Sequence, residues 1–341
     1  MLFLTDFLSF LGRGHMRLLF KPNFGIIKGW EKLGKEAGTM IRSVPLNAQD
    51  VWINIEADAL EKHPELIEEF DLDEEIIKYA ADRNERARVD YDRQSHTFVL
   101  IFNVPNRIKQ TRHYETVPMS FIVQKHRLIT ISNEDNAYIL QRMHRNLELE
   151  PEQSLFGFLF EALYRVTDEY FPLVEEINRE RDQLTRLLRD KTTRENLLAL
   201  SDMETGMVYF ITASKQNTVL LEQLRTLLVF RSLTEVEREQ LEDALIEARQ
   251  LVEMTQLTGQ TLQQLSDTYN NVLNNNLNDI FRILTTLEII LMVPTFVTGF
   301  FGMNVPVPFA NHPMGWLITL IISIAGCIVI NGVLKNLLAR K

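Results

Sequence analysis

Apolar and charged side chains intermingle along most of the 341-residue chain, but that mixing stops near its end. Between Ile283 and Leu334, 52 residues, the only Asp, Glu, Lys or Arg is Glu288. Two runs in this segment, Ile283–Phe301 and Trp316–Leu334, are 19 residues long each. At about 1.5 Å per residue, each is just long enough for a hydrocarbon core of about 30 Å. The alternative is a buried helical hairpin, but both runs are apolar nearly all round and favour membrane spans. The linker Asn304–Gly315 carries no charge, whereas Arg282, Lys335, Arg340 and Lys341 flank the outer ends of the spans. An excess of basic residues on the cytoplasmic side then places the linker outside and both termini in the cytoplasm, in the cell (inner or plasma) membrane.

Upstream, the periodicity changes twice. Residues 41–145 alternate β-type runs, Val51–Ile55, Thr97–Val104, Met119–Gln124 and Arg127–Ser132, with helical stretches Ala57–Phe70 and Asp73–Asp82. This predicts an α/β domain. From Pro151 the strand signals vanish, and charged helices fill the remainder of residues 146–233. Thr234 and Glu237 then form a capping box, the start signal of a new helix. Only Gly259 weakens that helix before the membrane, so residues 234–303 can form one stalk of about 100 Å that becomes the first span at about 283–302. A lead-in (1–40), an outer loop (304–315), a second span (316–335) and a basic tail (336–341) complete the expected order. The lead-in does not read as a signal peptide, because Asp6 interrupts its apolar stretch and Arg13 and Arg17 follow it; Met16 is an alternative start.

Stepping along the stalk by alternating three and four residues, the period of a coiled-coil seam, gives an unexpected face. It runs through Asp243, Ile246, Gln250, Glu253, Leu257, Gln260, Gln264, Asp267, Asn271, Asn274 and Asn278, then Phe281, Thr285, Glu288, Met292, Thr295, Gly299 and Gly302. A seam would be Leu and Ile; this face is mostly polar. Over residues 243–278 a solvated outer face is the simpler reading. The same phase nonetheless continues into the apolar span as Thr285, Glu288 and Thr295. A carboxylate facing lipid is costly, so Glu288 points to a wet cavity or snorkels to the nearby interface. Two spans cannot enclose a water path, which implies several copies of the first span around an axis. Phe281, Leu284 and Met292, on or beside that face, are either ordinary packing residues or apolar constrictions that gate by dewetting. Pro294 predicts a local kink, tolerable where a neighbour satisfies the freed carbonyl.

Charge sharpens the division. The chain carries 36 basic and 46 acidic residues, net −10, and its mean hydropathy of −0.09 is that of a soluble protein. Residues 1–282 hold a net −12 and residues 283–341 a net +2. An acidic surplus disfavours nucleic acid as a partner. The single cysteine, Cys327, inside the second span, excludes a disulfide framework. There is no phosphate loop, metalloprotease motif or Gly-rich nucleotide turn, so neither an enzyme nor an ATP-driven pump is indicated.

The first span closes Thr298-Gly299-Phe300-Phe301-Gly302-Met303-Asn304. Gly302-Met303-Asn304 before a short loop and a last helix resembles the CorA family of divalent metal-ion transporters. Trp52-Ile53-Asn54, Glu85–Asp90 and Tyr114–Pro118 resemble the cytoplasmic domain of its Gram-positive-type members. The resemblance implies an α+β membrane protein: a cytoplasmic α/β domain, a helical stalk and two C-terminal spans, assembled as a homopentameric funnel in lipid. It implies uptake of Mg²⁺, with Co²⁺ or Ni²⁺ as further cargo, or Zn²⁺ in the family's other branch. By the same resemblance the selectivity filter falls on Gly302, Met303 and Asn304, the gate on Phe281, Leu284 and Met292, an inner polar ring on Asn278 and a pore hydroxyl on Thr295. Regulatory Mg²⁺ would bind Asp243 and Asp267. Glu68, Glu69, Asp71, Asp73, Glu74 and Glu75 are candidates for the acidic partner in the α/β domain, although such a run is also an ordinary solvated helix end. Three features depart from the family: an outer loop without acidic residues, Phe301 before the filter instead of Tyr, and Glu288 where a small or apolar residue is expected. A membrane-anchored sensor or scaffold is the rival from a different functional class, and the polar stripe speaks against it.

Overall fold

In the computed structural model, which describes residues 41–63, 65–72, 78–79, 82, 85–92, 97–190, 192–227, 233–304, 308 and 313–338, the four predicted strands form the middle of a six-stranded mixed sheet. The strands are β1 (Ile41–Pro45), β2 (Val51–Glu56), β3 (Arg88–Asp92), β4 (Thr97–Pro105), β5 (Thr116–Gln124) and β6 (Arg127–Ser132). Their order is β1-β2-β6-β5-β4-β3, and only β2 and β6 pair in parallel. All nine residues of β4 are buried. That burial explains why β4 reads as a continuous apolar run instead of alternating: both faces of the sheet are covered. Ile53, Ile55, Val99, Ile122, Ile129 and Ile131 pack on one face with Ala59, Leu60, Leu66 and Phe70. These last belong to α1 (Ala57–Lys62), α2 (Glu65–Glu69) and the turn after it. On the opposite face the Trp52 ring packs, tilted by 56°, against Phe158 at 5.2 Å and donates its indole N–H to Thr130 Oγ1 at 3.0 Å. Asn54 Oδ1 accepts from Thr130 and Ser132, so the carbonyl of that buried amide is not stranded.

Two short edge strands were not anticipated. β1 and β3 are half-exposed, and Arg42, Arg88, Asp90 and Asp92 dilute their β signal. Charged, short edges are also a defence against edge-to-edge pairing. The predicted helix Ala57–Phe70 is two helices, because His63 precedes Pro64 and takes φ −130°, ψ 72°, outside the helical region. The predicted helix Asp73–Asp82 lies largely outside the described residues, as do the lead-in 1–40, Arg340, Lys341 and most of the outer loop.

Four helices follow the sheet: α3 (Ala137–Leu149), α4 (Leu155–Asp168), α5 (Tyr170–Asp190) and α6 (Arg194–Leu224). The pairing of β3 with β4 ends at Ile101. Beyond it, the Asn217 side chain of α6 replaces the missing strand. Its Oδ1 accepts from Asn103 N–H at 2.9 Å and its Nδ2 donates to Asn103 C=O at 2.8 Å. Both backbone groups of Asn103 therefore point away from β5, and Pro118, paired opposite, deprives it of no ladder bond.

Glu169, only 7% exposed, lies at the junction of α4 and α5 and receives Arg107 Nε at 3.2 Å and Arg142 Nε at 2.7 Å. Arg107 also stacks over the Tyr138 ring at 4.1 Å. The asymmetry in burial makes a prediction. The arginines are 42% and 48% exposed and can rehydrate if the carboxylate is lost, whereas the carboxylate cannot. Arg107→Ala with Arg142→Ala should destabilise the protein by about 3–5 kcal/mol by stranding a buried charge. Glu169→Gln should cost only about 1 kcal/mol. Denaturant unfolding of the purified full chain reads the difference, and equal losses would refute this account.

The chain divides into two units, residues 1–265 and 266–341. A single helix, α7 (Glu235–Phe301), contributes to both, and α8 (Gly315–Leu338) belongs to the second. The capping box forms as expected: Glu237 N–H donates to Thr234 Oγ1 at 3.3 Å and Thr234 N–H to Glu237 Oε2 at 2.8 Å. Glu237 also accepts from Ser154 Oγ at 2.7 Å, which ties the start of α7 to the start of α4.

Candidate functional site: the polar face of the long helix

In the first unit α7 buries Leu241, Ala244, Leu245, Ala248, Leu251, Thr255, Thr258 and Leu262. Three-and-four spacing puts these on one stripe. The stripe is pinned by polar contacts to α5 and α6: Thr255 Oγ1 lies 3.2 Å from Ser214 Oγ, and Asn178 Nδ2 donates to Thr258 Oγ1 at 3.2 Å. Arg249 reaches Glu222 at 2.7 Å. Gly259 marks a close approach of α7 to α6, since an added Cβ would lie 2.7 Å from Ile211 Cδ1 and that side chain would have to shift. The polar face read from the sequence lies outside this stripe. Asp243, Gln250, Glu253, Gln260 and Gln264 are all exposed.

The same separation holds in the second unit. Thr286, Ile289, Ile290, Val293, Pro294 and Val297 are half-buried, and α8 approaches this side of α7 through Gly326 and Cys327. On the other side of α7, Asp267, Asn271, Asn274, Asn278, Phe281, Leu284, Thr285, Glu288, Met292 and Thr295 are exposed. Phe281 and Met292 are 62% and 63% exposed, large values for apolar residues. From Asn274 to Thr285 α7 is exposed all round, and Ile280, Ile283, Leu291 and Phe296 are as open as Phe281 and Met292, so the face through Asp243, Glu288 and Thr295 is part of a wider exposed surface. That face is polar outside the apolar segment and amphipathic within it.

Thr295 and Thr298 show how the apolar segment handles its hydroxyls. Thr295 Oγ1 donates to Leu291 C=O at 2.9 Å and Thr298 Oγ1 to Pro294 C=O at 2.8 Å. The hydrogen of Thr295 is therefore committed, and the oxygen lone pairs are what it offers outward. α7 ends at Phe301. Gly302, Met303 and Asn304 follow it, all exposed, with Gly302 N–H bonded to Thr298 C=O at 2.9 Å. Gly302 does not take a left-handed φ; an added Cβ there would stand 3.1 Å from Thr298 C=O, tighter than most contacts. A glycine there lets the last turn of the helix close without displacing that carbonyl.

Among the described residues, no group of three or more His, Cys, Asp or Glu is disposed to hold a metal within one chain. Asp243 and Asp267 are both exposed on α7, and Glu68, Glu69 and Asp71 are exposed at the end of α2. Asp73, Glu74 and Glu75 lie outside the described residues. Sequence reasoning used Cys327 only to exclude a disulfide framework and gave it no partner. Its Sγ lies 3.5 Å from Ile290 C=O, the carbonyl that Pro294 deprives of its helical donor. The proline at i+4 from Ile290 was the available signal.

A stalk helix with an exposed polar face thus runs into an apolar helix that closes on Gly-Met-Asn before a second apolar helix. The profile of the family described as "CorA-like Mg2+ transporter protein" matches residues 47–335, most of the chain. The chain belongs to the CorA-like Mg²⁺ transporter family. A CorA relative, the cobalt/magnesium transport protein CorA of Methanocaldococcus jannaschii, is 24% identical over 278 residues, 79% of this chain and 84% of that one. The complete structure of that archaeal CorA magnesium transporter superposes with a TM-score of 0.69 at 22% identity, covering 84% of this chain and 90% of the other. The full-length CmaX structure gives 0.63 at 15% identity, covering 86% and 90%. At these identities the structural likeness is one of fold: an N-terminal α/β domain, a long helix and two C-terminal apolar helices. CorA-family proteins are membrane transporters of divalent cations and not enzymes. Among the described residues, the two helices long and apolar enough to cross a membrane, α7 and α8, fit that membership.

Proposed function

We propose that this chain forms a homopentameric channel in the cell membrane, with both termini cytoplasmic, that takes up Mg²⁺ down its electrochemical gradient and is shut by cytoplasmic Mg²⁺. The observation that carries the reading is the exposed, largely polar face of α7. It continues from Asp243 through Glu288 to Thr295 and ends at Gly302-Met303-Asn304. Five copies of such a face around an axis supply a wet path through lipid, which one chain cannot. Asn304 amide carbonyls at the mouth bind the water shell of a hydrated cation. Mg²⁺ dehydrates reluctantly, so a ring that recognises its hydrated form selects it without paying to strip it. Asn278 forms an inner polar ring, and Phe281, Leu284 and Met292 form apolar constrictions that dewet when they close. The driving force is the inside-negative potential, about 2.3 kcal/mol per charge per 100 mV. Co²⁺ and Ni²⁺ are further cargo of similar charge. Growth rescue of a Mg²⁺-uptake-deficient bacterium tests the reading. Failure of rescue, together with Zn²⁺ flux in liposomes, would shift it to zinc.

Glu288 gives this chain a feature of its own. Five carboxylates at one level of the pore form a second cation site below the mouth, where water exclusion strengthens their field. Glu288→Ala should weaken block by hydrated-cation mimics such as hexaammine complexes by about tenfold, the equivalent of about 1.4 kcal/mol. Liposome flux with and without the blocker measures it. Unchanged block and unchanged divalent preference would show that Glu288 snorkels to the interface.

A further inference from the structure

Pro294 has no N–H, so Ile290 C=O loses its i+4 donor in the middle of an apolar segment, where no water can replace it. The neighbouring hydroxyls do not help: Thr295 serves Leu291 and Thr298 serves Pro294. The donor comes from the other helix. Cys327 Sγ of α8 lies 3.5 Å from Ile290 C=O, within the range of a thiol hydrogen bond. Gly326 is what lets it reach, because a Cβ at that position would stand 2.7 Å from Val293 Cγ1. Gly326-Cys327 thus faces the one turn of α7 that proline has broken.

We propose that Cys327 is a positioning residue for the pore helix: its thiol takes the carbonyl freed by Pro294 and so fixes the direction in which α7 continues past the break. Met292 lies just before that break, and Thr295 and Gly302-Met303-Asn304 lie after it, so the orientation of the outer half of the proposed pore lining depends on this bond. A thiol is a weak donor. It holds the broken turn while letting it shift, which a rigid restraint would prevent. The transport readout below rests on the function proposed above; the stability readout does not.

The decisive substitution restores the missing donor. Pro294→Ala supplies an N–H to Ile290 C=O within α7 and makes the thiol redundant. Full-length protein in liposomes is assayed for Mg²⁺ uptake, and the same protein in detergent for its thermal midpoint, as wild type, Cys327→Ala, Cys327→Ser, Pro294→Ala and the Pro294→Ala, Cys327→Ala pair. Cys327→Ala should change the uptake rate at least about threefold and lower the midpoint by a few degrees. Cys327→Ser, which keeps a donor, should stay near wild type in both. In the Pro294→Ala background, Cys327→Ala should change neither. Equal effects of Cys327→Ala with and without Pro294, or none at all, would overturn the proposal. Wild-type liposomes without Mg²⁺ flux would instead count against the transport reading, and the thermal cycle would still decide whether Cys327 and Pro294 are coupled.

Discussion

Asn304→Ala is expected to abolish rescue of a Mg²⁺-uptake-deficient bacterium that the wild-type chain restores. The magnitude follows from the number of groups removed at once. In a pentamer one substitution deletes five amide carbonyls from a single ring, each accepting from the cation's hydration water. At about 1 kcal/mol for each hydrogen bond, the ring loses about 5 kcal/mol, which lowers occupancy by more than about a thousandfold. Alanine also offers no polar group with which the hydrated ion can exchange water. The chain makes this ring unusually important, because the outer loop from Val305 to Gly315 has no acidic residue to concentrate cations at the mouth. Electrostatic focusing supplies little to compensate for a missing filter. The position itself is exposed and follows the end of α7, so the substitution should leave packing intact. Membrane abundance of wild type and variant should therefore match. Rescue by Asn304→Ala at equal abundance would refute the filter assignment.

The architecture was legible wherever one physical signal dominates. Two runs with Glu288 as their only charge can hardly be anything but spans, and the capping box at Thr234 and Glu237 marks the start of α7 because its hydrogen bonds are local. The central strands were legible because burial on both faces gives β4 and β5 unbroken apolar runs, Phe98–Phe102 and Phe121–Val123. What the sequence concealed depends on partners far away in the chain. β3 is a strand only because β4 lies beside it; its own residues, Arg-Val-Asp-Tyr-Asp, carry little preference. Asn217 replaces a strand for Asn103 from 114 residues away, and no local pattern predicts that. The split of Ala57–Phe70 was available from Pro64 but was outweighed by the helical periodicity around it. At the candidate site the residue types and their phase could be read directly, because a helical face is a matter of spacing alone. The reason that Gly302 is glycine, and the use of Cys327, could not, since each depends on how closely one group approaches another in three dimensions.

Asp243→Lys combined with Asp267→Lys is expected to leave the channel open at internal Mg²⁺ concentrations that shut the wild type, with the half-inhibitory concentration raised at least about tenfold. Both carboxylates are exposed on α7, so the substitutions should leave its buried stripe intact. In a closed ring of subunits such carboxylates approach one another and repel unless a cation lies between them. Mg²⁺ suits that role, since it binds through one or two carboxylates while keeping several waters, and so responds over millimolar changes instead of saturating. Lysine reverses the sign at both levels and removes the cation that would bridge neighbouring subunits. The closed arrangement then loses its Mg²⁺-dependent stabilisation, and by linkage an equilibrium can shift only as far as the ligand's differential affinity for the two states. A tenfold change requires only about 1.4 kcal/mol, within reach of removing two charge-assisted contacts per subunit. Exposed sites are also screened, so raising ionic strength with monovalent salt should mimic part of the effect in the wild type and none of it in the variant. Flux from liposomes loaded with graded Mg²⁺ measures both. Inhibition unchanged by the double substitution would remove Asp243 and Asp267 from the gating mechanism and leave closure to the apolar positions, Phe281, Leu284 and Met292, alone.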